Sequence, residues 1–159
     1  MKRWLVLFSA LPLLAFAAPQ EKIVTLGGDV TEIVYALGAS SSLVARDSTS
    51  RWPQAANVLP DVGYLRQLNA EGILSMRPTL VLASAQAQPS LALKQVEQSH
   101  VRVIAVPAAN DLSVIDEKVR IVAEATHREA EGEALRGKLR QALSTLPTSP
   151  LNKRVLFIL

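Results

Sequence analysis

Short runs of β-branched and aliphatic residues alternate with segments of helical pattern along most of the chain, and this alternation constrains the fold more than any other feature. The runs have the length of buried strands, and they cover Ile23–Leu26, Leu43–Ala45, Leu80–Ala83 and Arg102–Val106. Strands that alternate with helices usually pair in parallel, and such a sheet needs cover on both faces. The sequence therefore predicts an α/β fold with a parallel sheet and helices on both faces.

Local sequence signals mark both ends of the first predicted helix, Val30–Leu37. Asp29 and Glu32 stand three residues apart, as in a capping box where each side chain bonds a free backbone N–H. Gly38 follows the helix, and glycine is favoured in the left-handed conformation that ends many helices. We expect Asp29 to be the N-cap and Gly38 to terminate the helix.

Asn69 precedes a second helical segment, and asparagine is a favoured N-cap because its side-chain oxygen accepts from a free backbone N–H. This helix is predicted to end at Met76, since the proline of Arg77-Pro78 disfavours a helical residue before it. A third helix is expected near Ser90–Gln98.

Two further helices are predicted in the last third of the chain. Ser113 and Asp116 open the first, which ends near Thr126. The second, Arg128–Leu146, would be roughly 28 Å long at 1.5 Å per residue. Its apolar stripe consists of Leu135, Leu139, Ala142, Leu143 and Leu146. After the prolines that follow, Val155–Leu159 has the pattern of another buried strand.

The first residues have the pattern of an export signal. Lys2 and Arg3 form a basic start, Trp4–Leu14 is apolar, and Ala15-Phe16-Ala17 offers a small-x-small cleavage site. We expect cleavage after Ala17 and export to the periplasm of a Gram-negative cell. The alternative is an uncleaved membrane anchor, although the apolar run is shorter than the roughly 20 residues that span a bilayer.

Composition excludes several classes of site. The chain has no cysteine, which removes lipid attachment through cysteine, disulfides, thiolate metal ligands and cysteine nucleophiles. The formal charge of +3 includes Lys2 and Arg3, and without them 15 basic groups face 14 acidic groups. This balance gives no reason to expect binding to nucleic acid.

The most informative segment is a loop with a tyrosine and an arginine directly before a capped helix, Gly63-Tyr64-Leu65-Arg66-Gln67-Leu68-Asn69. Together with Gly27–Glu32, it resembles the N-terminal lobe of the periplasmic haem-binding proteins, within a group that also binds cobalamin and ferric siderophores. The similarity covers Ile23–Leu159. The pattern of Asn69–Pro78 is shared by the whole group, whereas Gly63–Arg66 points to haem.

The resemblance implies that Tyr64 is the axial ligand of ferric haem. Phenolate oxygen suits ferric iron, and tyrosine-ligated haem has precedent. Arg66 would project to the same side if the loop is extended, and it could then bond the phenolate or pair with a haem propionate. Without the resemblance, Tyr64 would be interpreted as a half-buried loop tyrosine and Arg66 as a solvated arginine.

The resemblance also assigns a role to Glu71. In the family, a glutamate at this position docks on basic residues of the membrane permease of a haem importer. The simpler interpretation is a favourable carboxylate in the first turn of a helix, worth about 0.3 to 1 kcal/mol. Both interpretations can hold for one side chain.

Other polar residues are interpreted as structural. His100 and His127 lie at predicted turns and are not at ligand spacing, so neither is expected to bind metal. Gly27-Gly28-Asp29 follows a strand, but the chain lacks the dinucleotide-binding G-x-G-x-x-G pattern and a phosphate-loop lysine. This stretch is predicted to be a tight turn into a helix.

These observations predict a domain organisation. A signal peptide over residues 1–17 precedes an N-terminal α/β lobe over 18–127. A rigid helix over 128–146 would join this lobe to a second lobe, of which 147–159 would be the start. We expect the second lobe to be truncated, and haem to be held more weakly without it, because one porphyrin face would stay in water.

The predicted function is a periplasmic protein, not an enzyme, that delivers haem (ferric protoporphyrin IX) to the permease of an ABC importer. An outer-membrane haem receptor would act upstream. Two alternatives stay open: the same fold with cobalamin or a ferric siderophore as ligand, and a secreted α/β enzyme. The second alternative lacks a nucleophile elbow of the form G-x-S-x-G.

Overall fold

The computed structural model describes residues 21–109, 111–147, 149, 153, 154 and 156. Its strands and helices, in chain order, are β1 (Ile23–Leu26), α1 (Gly28–Ala36), β2 (Leu43–Arg46), α2 (Ala70–Ser75), β3 (Leu80–Ser84), α3 (Leu91–Gln98), β4 (Arg102–Val106), α4 (Val114–Ala125) and α5 (Glu129–Ser144). None of the helices in this part of the chain has the length and hydropathy to cross a membrane. The predicted signal peptide lies outside the described residues, as does the predicted strand Val155–Leu159 except for Leu156.

The four strands form one parallel sheet in the order β2-β1-β3-β4. All four predicted strands are confirmed, and two of them extend one residue further than predicted, to Arg46 and Ser84. β1 and β3 are buried along their whole length, as a parallel sheet with covered faces requires. The predicted α/β fold is confirmed.

Alternate residues of the central strands supply two separate apolar cores. On one face, Ile23 and Leu82 pack with α1 and α4, and Leu135 of α5 packs partly against this cluster. On the other face, Val24 and Val81 pack with α2 and α3. Side chains alternate between the faces of a strand, so each strand is held by helices on both sides.

The start of α1 differs from the prediction. The helix begins at Gly28 with Gly27 as the N-cap residue, and no side chain caps it. Asp29 lies inside the first turn, where its carboxylate pairs with Lys118 of α4. The predicted capping box of Asp29 and Glu32 is therefore wrong, because a partner distant in the sequence engages the capping carboxylate.

The other end of α1 and the short helices follow the local signals closely. Gly38 has the predicted left-handed conformation, with φ of 69°. Asn69 caps α2 by accepting from the Glu71 N–H at 2.9 Å, and Ser90 caps α3 by accepting from the Leu93 N–H at 3.2 Å. The exposed His100 and His127 have positive φ directly after α3 and α4, so both are turn residues as expected.

The start of α4 also differs from the prediction. Ser113 occupies the N-cap position but makes no side-chain cap; instead its backbone N–H donates to Asp111 at 2.8 Å. Asp116 is hydrogen-bonded by Arg136 of α5. The predicted pairing of Ser113 with Asp116 is wrong because an arginine on the next helix binds the carboxylate.

The longest helix, α5, is shorter than predicted and covers Glu129–Ser144. Its apolar stripe is only partly covered: Leu135 and Leu139 are half-buried, while Leu146 lies beyond the helix and is exposed. The buried contact is made by Gly132, where an added Cβ would overlap the Ala123 side chain of α4. Close approach of the two helices thus depends on a residue without a side chain.

Replacing Gly132 tests this contact. We expect Gly132→Ala to lower the free energy of unfolding by about 1 to 3 kcal/mol, because the new methyl group must push α4 and α5 apart. Gly137→Ala on the same helix is the matched control; its Cβ would meet nothing within 4 Å, so a gain of about 1 kcal/mol is expected. Urea denaturation followed by circular dichroism measures both, and equal effects would contradict the packing argument.

The link between Asp116 and Arg136 predicts a pH dependence. The hydrogen bond from Arg136 holds the pKa of the Asp116 carboxyl below its usual value, and attraction to Arg136 and Arg140 acts in the same direction. A carboxyl with a lowered folded-state pKa stabilises the fold at neutral pH and loses this contribution as the pH falls below about 4.

We therefore expect Asp116→Asn to reduce the loss of stability between about pH 5 and pH 2. Unfolding midpoints measured across this range provide the test. Glu97→Gln removes an exposed carboxyl from α3, away from this pair, and serves as the control. An unchanged pH profile in Asp116→Asn would contradict the prediction.

Candidate functional site

The candidate site lies at the carboxyl edge of the sheet. The chain passes from β1 to β2 on one side and then returns from β2 to β3 on the other side of β1, so the direction of the strand order reverses next to β1. In open α/β sheets, ligands bind outside the carboxyl ends of the strands at such a switch point. The long connection from β2 to α2, residues 47–69, lies at this edge and contains the predicted ligand tyrosine.

A buried polar network fixes the base of this connection. The Asp47 carboxylate is fully buried, and it accepts from the Gly27 N–H at 2.9 Å and from the Ser50 hydroxyl at 2.5 Å. The Thr31 hydroxyl of α1 lies 2.7 Å from both the Thr25 and the Ser50 hydroxyls. One carboxylate and three hydroxyls therefore join β1, α1 and the residues that follow β2.

Tyr64 stands on a firmly held backbone with an exposed side chain. Its neighbours Val62 and Leu65 are buried in the core beneath, whereas 45% of Tyr64 is exposed. Gly63 has φ of 102°, a conformation that favours glycine, and its carbonyl accepts from the Ser48 N–H at 2.9 Å. In the described part of the chain, the Tyr64 hydroxyl has no hydrogen-bond partner. The phenol is thus available to an external ligand.

Arg66 does not lie on an extended loop with Tyr64. The Gln67 N–H donates to the Tyr64 carbonyl at 2.8 Å, so residues 64–67 form a tight turn. The extended loop on which Arg66 would project to the same side as Tyr64 is therefore not formed. Arg66 is exposed, and within the described residues it makes no ion pair. The direction of the Arg66 side chain relative to Tyr64 is set by this turn.

Glu71 occupies the second position of α2, as the sequence predicted. It is exposed, and its carboxylate pairs with no cation in the part of the chain that the structure describes. Because α2 starts at the carboxyl edge of the sheet, Glu71 lies on the same side of the lobe as the Tyr64 loop. The position is compatible with a charged contact to a partner.

A separate groove of about 630 Å³ lies between α1, α4 and α5. Its walls include the ion pair of Asp29 with Lys118 and the exposed side chain of Trp52. Tyr64, Arg66 and Glu71 do not line it. Tyr64 therefore stands outside this groove, although Trp52 of the same connection lines it.

The residues that support Tyr64 were not predicted from the sequence. In the connection after β2, Asp47 accepts from the Thr49 N–H and Asp61 accepts from the Gly63 N–H, and Arg46 pairs with Asp61 at 2.8 Å. A signal was present, because an aspartate followed by the hydroxyl residues Ser48, Thr49 and Ser50 directly after a strand is typical of a hydrogen-bonded turn. The pairing with Asp61, fifteen residues from Arg46, had no local signal.

A protein-family model matches most of this chain. The family described as "Periplasmic binding protein" matches residues 23–148. Among curated proteins, a vitamin B12-binding protein from Vibrio vulnificus (strain YJ016) is 37% identical over 82 residues, which are 52% of this chain and 30% of that protein. The matched part is thus less than a third of this relative.

Solved structures match over a larger part of the chain. A periplasmic heme binding protein from Pseudomonas aeruginosa is 38% identical with a TM-score of 0.74, covering 78% of this chain and 44% of that one. The periplasmic heme binding protein HutB of Vibrio cholerae is 34% identical with a TM-score of 0.74, covering 83% and 52%. The chain therefore spans about half the length of these structures.

Removal of Asp47 tests the polar network. We expect Asp47→Ala to lower the free energy of unfolding by about 3 kcal/mol, because it leaves the Gly27 N–H and the Ser50 and Thr49 hydroxyls without their acceptor. Asp111→Ala is the control, since Asp111 makes comparable bonds to Ser113 at the surface and its loss should cost less. Urea denaturation of both variants decides; equal losses would contradict the prediction.

Proposed function

The chain belongs to the periplasmic binding protein family, and we propose that within it the protein binds ferric haem and delivers it to the permease of an ABC importer. The periplasm is the proposed compartment, after removal of the predicted signal peptide over residues 1–17. An outer-membrane haem receptor would act upstream. The protein is proposed to be a carrier and not an enzyme, in keeping with relatives that are named as binding proteins.

The observation that carries the choice of haem is the exposed phenol of Tyr64 on a held backbone. A haem ligand must present one donor atom at a fixed place beside a flat, mostly apolar macrocycle. Tyr64 meets this requirement, because buried neighbours hold its backbone while its side chain stays accessible. Ferric iron favours a phenolate ligand, so the metal itself would stabilise the deprotonated tyrosine.

Arg66 is proposed to bind an anionic substituent of haem. It lies two residues from Tyr64 across the turn, and its guanidinium has five N–H donors that suit a carboxylate. Glu71 is proposed to contact basic residues of the permease. An exposed carboxylate of this kind steers the encounter between partners more than it adds affinity.

Cobalamin is the second candidate ligand. It is favoured by the 37% identity to a protein named for vitamin B12. Haem is preferred because, among solved structures that cover 78% of this chain, a periplasmic heme binding protein from Pseudomonas aeruginosa is 38% identical and the periplasmic vitamin B12 binding protein of Vibrio cholerae is 27% identical.

Titration with haemin tests the proposal. We expect Tyr64→Phe to abolish the absorption spectrum of tyrosinate-ligated ferric haem and to weaken binding at least tenfold, because the iron loses its ligand. Tyr35→Phe is the matched control, since Tyr35 is the other tyrosine of the chain and lines the separate groove between α1, α4 and α5.

The contradicting outcomes are distinct. A spectrum and an affinity in Tyr64→Phe that equal those of the parent would reject the tyrosine as ligand. Tight binding of cyanocobalamin, together with no saturable binding of haemin, would reject haem in favour of the second candidate.

A further inference from the structure

Asp61 and Arg46 form an ion pair directly beneath the Tyr64 loop, and we propose that this pair is a positioning clamp that fixes the Tyr64 phenol for iron ligation. The inference rests on the proposed function, since it concerns the same tyrosine. Asp61 would act through Tyr64 and not touch the haem iron itself.

The two oxygens of the Asp61 carboxylate have different partners. Oδ1 accepts from the Gly63 N–H at 2.8 Å and from the Ser48 hydroxyl at 3.0 Å. Oδ2 accepts from Arg46 Nη1 at 2.8 Å. A single side chain therefore connects the end of β2, the residues that follow it and the residue immediately before Tyr64.

Backbone hydrogen bonds join the same two segments as this side-chain contact. The Val62 N–H donates to the Arg46 carbonyl and the Arg46 N–H donates to the Pro60 carbonyl, each at 3.0 Å. A short stretch around Asp61 thus lies alongside β2 as a parallel bridge. The Ser48 N–H also donates to the Gly63 carbonyl. These hydrogen bonds fix the backbone directly before Tyr64.

Arg46 links the clamp to the buried network. Its Nη1 also donates to the Asp47 carbonyl at 3.0 Å, and only 11% of its side chain is exposed. Its Nε is buried and has no hydrogen-bond partner among the described residues. An arginine held in this way contributes little net stability, so the arrangement is better explained by orientation of its partner than by stabilisation of the fold.

Position matters more for Tyr64 than for most surface residues. Ligand geometry at a metal must be held within about 0.5 Å, and residues that orient a ligand commonly change metal affinity by about 10- to 100-fold when replaced. The Asp61 carboxylate is 42% exposed but the Arg46 side chain is only 11% exposed, so loss of Asp61 also leaves a largely buried guanidinium without its carboxylate. An effect on haem retention must therefore be separated from a loss of stability.

A double-mutant cycle on the full chain tests the clamp, with haemin as the probe and its capture by excess apomyoglobin as the measure of dissociation rate. We expect Asp61→Ala to raise the dissociation rate about tenfold and to weaken the tyrosinate spectrum. In a Tyr64→Phe background, Asp61→Ala should change the rate less than twofold. This non-additivity identifies an effect that acts through Tyr64.

Matched variants control for general damage. Glu21→Ala breaks another ion pair, between Glu21 and Arg102 at 2.7 Å, and should leave both rate and spectrum unchanged. Asp61→Asn keeps an oxygen for the Gly63 N–H but loses the charge that faces Arg46, so its dissociation rate should lie between those of the parent and Asp61→Ala. It also replaces Asp61→Ala if that variant fails to fold.

The clamp is rejected if Asp61→Ala and Asp61→Asn both match Glu21→Ala, or if the tenfold effect persists in the Tyr64→Phe background. Failure of the proposed function looks different: Tyr64→Phe alone would then bind haemin like the parent, and the clamp would be rejected with it. A large effect of Tyr64→Phe without any effect at Asp61 rejects the clamp alone.

Discussion

The buried Asp47 carboxylate holds together the edge of the sheet from which every residue of the candidate site extends. It binds the backbone at the end of β1 and the hydroxyl of Ser50, and through Ser50 it reaches Thr31 of α1. A buried carboxylate is tolerated only when its oxygens have donors, and here they do. The connection after β2 consequently starts from a fixed point, although it has little regular structure of its own.

Local sequence signals located the strands to within a residue, and for the two central strands the reason is their burial. A run such as Leu80–Ala83 has no polar residue because both of its faces are covered. The ends of the apolar run therefore mark the ends of the strand. Asn69 and Gly38 also act locally, through bonds to adjacent backbone. Asp29 and Asp116 did not follow their local pattern, because Lys118 and Arg136 approach from other helices and bind them.

The candidate site was less accessible to sequence reasoning. Tyr64 was proposed from a resemblance, and nothing in its own chemistry would have separated it from an ordinary loop tyrosine. What the fold adds is the surrounding support: Val62 and Leu65 buried on either side, and Asp61 bound to Gly63. Those contacts join residues from separate stretches of chain, so they follow from the topology of the sheet and not from spacing.

The contact of Gly132 with Ala123 lies near one end of α5, and the pairing of Arg136 with Asp116 holds the same helix to α4 further along. From Gly132 to the last residue of the helix, Ser144, the axis extends about 18 Å. A tilt of about 10° at the contact would move the far end by roughly 3 Å, calculated from the same rise per residue. A side chain at position 132 would therefore change the direction of α5 relative to α4.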